Sequence, residues 1–148
     1  MIFLVFLLIP LLSVNGYKYE GLKDNILANF TLRCNIPDRE WTYTMNLLEM
    51  DNLFHDLISA ANGSSNTMEK DFELTGWDWG DLSPSYEFAL RIWHDCGTED
   101  KRQRNVEIQF PYVEVFRRWY QFRFSYDLTD QEGLKENVPI EVNYDKWK

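Results

Sequence analysis

Ser85-Tyr86-Glu87-Phe88-Ala89-Leu90-Arg91-Ile92-Trp93-His94-Asp95-Cys96, a polar loop, and then Arg104-Asn105-Val106-Glu107-Ile108-Gln109-Phe110-Pro111 decide how this chain folds. Tyr86, Phe88, Leu90 and Ile92 alternate with Glu87, Ala89, Arg91 and Trp93, the period of a strand with one buried face. That face continues through His94 to Cys96, so the cysteine is expected to enter from the core side. Val106, Ile108 and Phe110 repeat the pattern after the loop.

The same alternation recurs on either side. Phe30, Leu32 and Cys34 share one face, with Thr31 and Arg33 on the other. Trp41, Tyr43, Met45 and Leu47 form a second series, and Phe72 and Leu74 a third. Tyr120, Phe122, Phe124, Tyr126 and Leu128 form the longest, and Ile140, Val142 and Tyr144 the last. Turn chemistry separates them: Ile36-Pro37-Asp38, Asn62-Gly63-Ser64-Ser65, and the loops 76–84 and 97–104. Half-buried strands of this composition, without a convincing long helix, predict an all-β fold: a two-sheet β-sandwich of about seven strands. One segment stays open. Leu53, Phe54, Leu57 and Ile58 have helical spacing, so 51–61 reads as a short helix or as a turn leading into a strand. Residues 130–137 read as a polar connection to the last strand, which ends at Tyr144.

Residues 1–16 are expected to be a secretory signal peptide. The run from Ile2 to Leu12 is apolar and too short to span a bilayer, and the chain turns polar directly after Gly16. Residues 17–148 then form a single domain, long enough for a two-layer core. The formal net charge of −9 argues against nucleic acid and against adsorption to anionic membranes. No stable membrane insertion is expected once the signal is removed. Cys34 and Cys96 are the only cysteines, and in an oxidising compartment a pair reads first as a disulfide. The sequons Asn29-Phe30-Thr31 and Asn62-Gly63-Ser64 mark Asn29 and Asn62 as candidate glycosylation sites of a secreted, extracellular protein.

An immunoglobulin domain fits the cysteine and tryptophan spacing poorly. Trp41 lies seven residues after Cys34, and His94 stands where the tyrosine corner would place Tyr. The chain instead resembles the nematode-type transthyretin-like family of small secreted proteins. That family has an alternating strand ending in His-x-Cys, a polar loop, and then Gln-Arg-x-Val-x-Ile-x-Ile-Pro; here these are His94-Asp95-Cys96 and Gln103-Arg104-Asn105-Val106-Glu107-Ile108-Gln109-Phe110-Pro111. Leu32-Arg33-Cys34-Asn35, Met45-Asn46-Leu47-Leu48-Glu49, His55-Asp56-Leu57-Ile58 and Asp71-Phe72-Glu73-Leu74-Thr75-Gly76 resemble further family segments in the same order, covering 31–126. Ile36-Pro37-Asp38 replaces the usual Pro-Ala, and Arg102 stands where many members carry another cysteine. The resemblance implies a transthyretin-like (prealbumin-like, immunoglobulin-like) sandwich, extracellular location and a binding role with an undefined ligand.

Catalysis is not expected. In a strand, Asp95 points away from His94 and Cys96, so the three do not converge as a nucleophile and base. Two histidines without paired spacing, His55 and His94, make a metal site weak, and no cofactor is implied. The wider transthyretin fold includes a hydrolase of 5-hydroxyisourate, but its C-terminal Tyr-Arg-Gly-Ser is replaced here by Asn143-Tyr144-Asp145-Lys146-Trp147-Lys148. A hydrolase using His94 or His55, or a carrier of a small apolar ligand, is therefore the alternative to a non-enzymatic binding or bridging protein. The large aromatics Tyr120, Phe122 and Phe124 are expected to fill the core rather than leave a cavity. The candidate binding surface comprises Trp77 and Trp79 on the loop 76–81, with the basic residues Arg102, Arg104, Arg117 and Arg118. Its partner would be an extracellular or cell-surface protein. Trp93 and Trp119 lie on the faces opposite the inferred core.

Overall fold

The computed structural model describes residues 23–51, 54–79, 83–115 and 119–144. The signal segment 1–16, the tail beyond 144, and Leu53, Arg117 and Arg118 lie outside the described residues. Eleven strands are present: β1 (Asp24–Arg33), β2 (Trp41–Met50), β3 (His55–Ser65), β4 (Glu69–Asp78), β5 (Ser85–Tyr86), β6 (Phe88–His94), β7 (Arg104–Gln109), β8 (Val113–Glu114), β9 (Trp119–Asp127), β10 (Gly133–Lys135) and β11 (Glu141–Tyr144). No helix occurs among the described residues.

Two main sheets form the sandwich. One has four strands in the order β11-β9-β1-β4, the other five in the order β10-β7-β6-β2-β3, and β5 pairs with β8 at the side. The β1–β9 and β10–β7 pairings are parallel, unlike the wholly antiparallel sheets of an immunoglobulin domain. Each expected alternation became a strand because its apolar face meets the opposite sheet. Ile26, Ala28, Phe30 and Leu32 of β1 are buried, as are Phe88, Leu90 and Ile92 of β6 and Tyr120 and Phe122 of β9. The aromatic rings fill the space between the sheets, with Phe88 and Phe122 centred 5.7 Å apart and Phe30 stacked on Phe124 at 5.0 Å.

The open segment is a strand. Leu47 pairs with Ser59 but Leu48 with Leu57, so Ile58 is the extra residue of a β-bulge. The bulge sets Leu57 and Ile58 side by side out of phase with a two-residue repeat, which is why their spacing reads as helical. The polar connection at 130–137 also contains a short strand, β10, on the edge of the larger sheet.

One end of the sandwich is tied covalently. Cys34 and Cys96 are bonded and almost fully buried, with Cα atoms 5.8 Å apart. The bridge joins the end of β1 to the loop after β6, 62 residues later. A loop of that length corresponds to about 4 kcal/mol in the chain-entropy description. Around it, Arg39 donates to the carbonyls of Gly97 (2.6 Å) and Asp100 (3.1 Å). The Arg104 guanidinium lies across Gly97 so closely that a Cβ there would sit 2.1 Å from Nη1.

Candidate functional site

The sequence-predicted residues separate into two groups, one at each end of the sandwich. At the disulfide end, His94 is 1% exposed. The Cys96 N–H donates to His94 Nδ1 at 3.2 Å, so the ring proton sits on Nε2 and is donated to the Gln131 carbonyl at 3.1 Å. Burial first, and then the neighbouring Arg104, holds the imidazole below its ordinary pKa against the pull of that carbonyl. This is a satisfied, neutral core histidine. Asp95 faces the other way and accepts from the Thr42 N–H at 2.6 Å. His55 is exposed at the start of β3, opposite Met50 at the far end of β2 from His94's partner Tyr43, so the two histidines do not come together. Among the described residues no group of three or more His, Cys, Asp or Glu side chains is arranged to hold a metal.

Of the basic residues placed on the candidate surface, the two among the described residues, Arg102 and Arg104, are engaged within the chain. Arg102 makes a two-pronged pair with Glu132 at 2.9 and 2.8 Å. Arg104, expected on the surface, is only 5% exposed; it donates to Asp100 at 2.8 Å and lies 3.6 Å from Asp130. The loop that carries them is thereby pinned against the turn before β10. Its charge pattern had looked like a solvated run because, beside the local Asp100, the carboxylates Glu132 and Asp130 that neutralise it lie 30 and 26 residues away in sequence.

The other end is different. Trp77 is the penultimate residue of strand β4, not part of a loop, and Trp79 directly follows the strand's last residue. Cross-strand register sets Trp77 on β4 and Trp119 on β9 on either side of Asn25 of β1, all on the outer face of the four-stranded sheet. Trp77, Trp79 and Trp119 are 49%, 40% and 40% exposed. The Trp77 and Trp79 rings meet edge to face, 5.6 Å apart at 87°. The Trp79 N–H donates to Asp78 Oδ1 at 2.6 Å, fixing the chain as it leaves the strand. Beside them, Asp56, Leu57 and Ile58 of β3 complete an open cleft of about 350 Å³ with Trp77, Asp78 and Trp79. The two edges approach closely because Gly76 has no side chain: a Cβ there would lie 2.4 Å from the Ile58 carbonyl oxygen. Phe54 and Leu57 add exposed apolar surface on the β3 side.

Carboxylates lie behind this end. Glu49 is 4% exposed, accepts weakly from the Glu87 N–H at 3.4 Å, and is raised from 4.5 to about 7, chiefly by burial and then by the nearby Asp51 and Asp78. Asp24 is fully buried and accepts from the Tyr86 hydroxyl at 2.8 Å; burial first, and then this hydrogen bond, pushes the phenol pKa up. Glu49 continues the Trp41-Tyr43-Met45-Leu47 face and Asp24 the Ile26-Ala28-Phe30-Leu32 face by the same two-residue period, a signal that could have placed both carboxylates on the core side.

The architecture defines a small disulfide-bonded β-sandwich with an aromatic surface at the end opposite its bridge. The chain belongs to the family described as "Caenorhabditis elegans protein of unknown function (DUF870)", whose profile matches residues 29–137. That match overturns the transthyretin-like assignment while keeping its nematode origin. The segments that suggested the other family are patterns any two-layer sandwich produces: alternating strands, a cysteine at a strand end and a turn after it. No curated protein matches the chain. Among solved structures it is similar to an alternative pilotin from the type II secretion system of Vibrio cholerae, at 19% identity and a TM-score of 0.34 over 55% of this chain and 74% of that one. It is also similar to a putative cell adhesion protein from Bacteroides ovatus, at 8% identity and a TM-score of 0.29 over 84% of this chain and 44% of that one. Neither likeness is close enough to bear on function.

Proposed function

We propose that this is a secreted, non-enzymatic binding protein that engages an extracellular protein partner through the tryptophan-bearing end of its four-stranded sheet. The observation that carries the reading is the clustering of Trp77, Trp79 and Trp119, each about half exposed, on one end of one sheet. Large rings left in water on a rigid strand scaffold are the residue type that dominates binding energy at protein interfaces. The leader-like apolar run at 2–12 and the Cys34–Cys96 bridge support an extracellular setting. The neutral, fully hydrogen-bonded His94 removes the main support for a hydrolase, and the aromatic filling between the sheets favours a surface over an internal ligand site. The test compares what wild type and Trp77→Ala/Trp79→Ala capture from secreted material by proximity labelling. Loss of a specific extracellular protein with the variant is expected; identical capture would refute the assignment of the surface.

A further inference from the structure

The Trp77–Trp79 corner already holds a cation. Lys23 Nζ sits 3.9 Å from the Trp77 ring centroid and 4.8 Å from that of Trp79. Two indole faces set at 87° direct their negative quadrupoles into one corner, the arrangement by which aromatic groups attract an ammonium. Lys23 precedes β1 by one residue, so its side chain reaches the corner from an exposed position at the end of the strand rather than from the core. The remaining walls of the cleft also suit an alkylammonium. Leu57 and Ile58 offer an apolar surface for a methylene stem, and Asp56 offers a carboxylate to which a primary ammonium, unlike a quaternary one, can donate hydrogen bonds. The net charge of −9 favours approach of a basic partner.

We infer that this corner is a recognition site for a lysine side chain of the partner protein, and that Lys23 fills it as an internal placeholder which the partner's lysine displaces. The inference rests on the reading of this end as the binding surface and names what that surface recognises. Because the site is self-occupied, its apparent affinity is lowered by the fraction of time Lys23 spends in it. A contact of exposed cation–π strength corresponds to about a fivefold effect.

The experiment uses the full secreted chain with ¹⁵N-labelled indoles, titrated with Nα-acetyl-lysine amide and, in a second arm, with tetramethylammonium chloride, each against sodium chloride of equal ionic strength. The lysine derivative is expected to shift the Trp77 and Trp79 indole resonances saturably while those of Trp41 and Trp93 stay in place. Lys23→Ala should tighten that binding about fivefold, and Trp77→Ala should abolish it. Absence of any shift in Lys23→Ala, equal affinity of Lys23→Ala and wild type, or tighter binding of tetramethylammonium than of the lysine derivative would each overturn the proposal. If the titrations fail while Trp77→Ala/Trp79→Ala still loses its captured partner, the lysine assignment falls and the binding surface stands. If capture is also unchanged, both fall.

Discussion

Replacing Glu49 with Gln tests the electrostatics of the aromatic end. Glu49 lies at the end of β2 with 4% of its surface exposed, and its pKa is raised from 4.5 to about 7, first by burial and then by Asp51 and Asp78. A carboxyl whose folded pKa lies above its unfolded value adds stability that is fully present below about pH 4.5 and is lost as pH rises to about 7. The difference between those two values corresponds to at most about 3 kcal/mol. Glutamine keeps the shape and the acceptor oxygen facing the Glu87 N–H but cannot ionise, so Glu49→Gln should remove this loss. Urea unfolding of both proteins at pH 5 and pH 8 gives the comparison. The variant is expected to gain on wild type by up to about 3 kcal/mol between the two pH values. The difference between proteins cancels groups remote from Glu49 that titrate in the window, including His94, and reports Glu49 together with the Asp51 carboxyl that interacts with it. A difference that stays constant from pH 5 to pH 8 would refute the reasoning.

The remaining predictions concern both ends of the sandwich. His94 has a folded pKa below its ordinary value, so it favours the folded state above about pH 6.5 and that contribution falls as pH drops through 6.5 towards the folded pKa; an imidazole titration by NMR with a midpoint at or above 6.5 would contradict this. Gly76→Ala places a Cβ 2.4 Å from a backbone oxygen that cannot swing aside, and should cost about 1–3 kcal/mol in urea unfolding; a neutral effect would mean that β3 and β4 part easily. Asn62 is exposed on the edge strand β3, whereas Asn29 lies half-buried on the central strand β1, where its amide reaches Gln121 at 3.1 Å once the Gln121 oxygen faces it. Asn62→Gln should therefore remove glycan mass from secreted protein and Asn29→Gln should not; the reverse result would show that strand position does not select the sequon. Trp77→Ala/Trp79→Ala should cost about 1.5–3.5 kcal/mol for both rings together, the sum of a ring pair and two exposed cation–π contacts, against about 3–5 kcal/mol for the single, fully buried Trp41→Ala. Equal losses would make the exposed rings structural.

The sandwich was legible because its information is local. Tyr86, Phe88, Leu90 and Ile92 alternate over consecutive residues, and with no long helical pattern in the chain to cover them, a second sheet is what hides one face of such strands. The pairing of Cys34 with Cys96 was equally open to reading, since no third cysteine competes. What was not legible depends on register. The bulge at Ile58 changes the phase of β3 by one residue and turns Leu57 outward, which no two-residue period can anticipate. Arg104 looked like surface charge because Asp130, 26 positions away, meets it only once the turn before β10 docks on the loop after β6. Trp119 was seen to face away from the core, but its place across Asn25 from Trp77 follows from the parallel β1–β9 pairing, and parallel pairing leaves no short-range mark.

The same register favours the tryptophan end as the proposed recognition surface. β1 runs the length of the smaller sheet, and at about 3.3 Å per residue its ten residues separate the two ends by roughly 30 Å. Its last residues meet the bridge: Cys34 follows directly and its N–H donates to the Met68 carbonyl at 2.8 Å. There the arginines are paired, the histidine is neutral and the loop is fastened by Arg39 and Asp130. At the first residues of β1 the balance is reversed. Glu49 is held in the core at a cost to its charged form, Gly76 gives up a side chain so that β3 and β4 can meet, and three tryptophans stay partly in water. Gly97 under Arg104 and the buried His94 are comparable departures at the bridge end, so what singles out the tryptophan end for the proposed recognition is the large rings left in water.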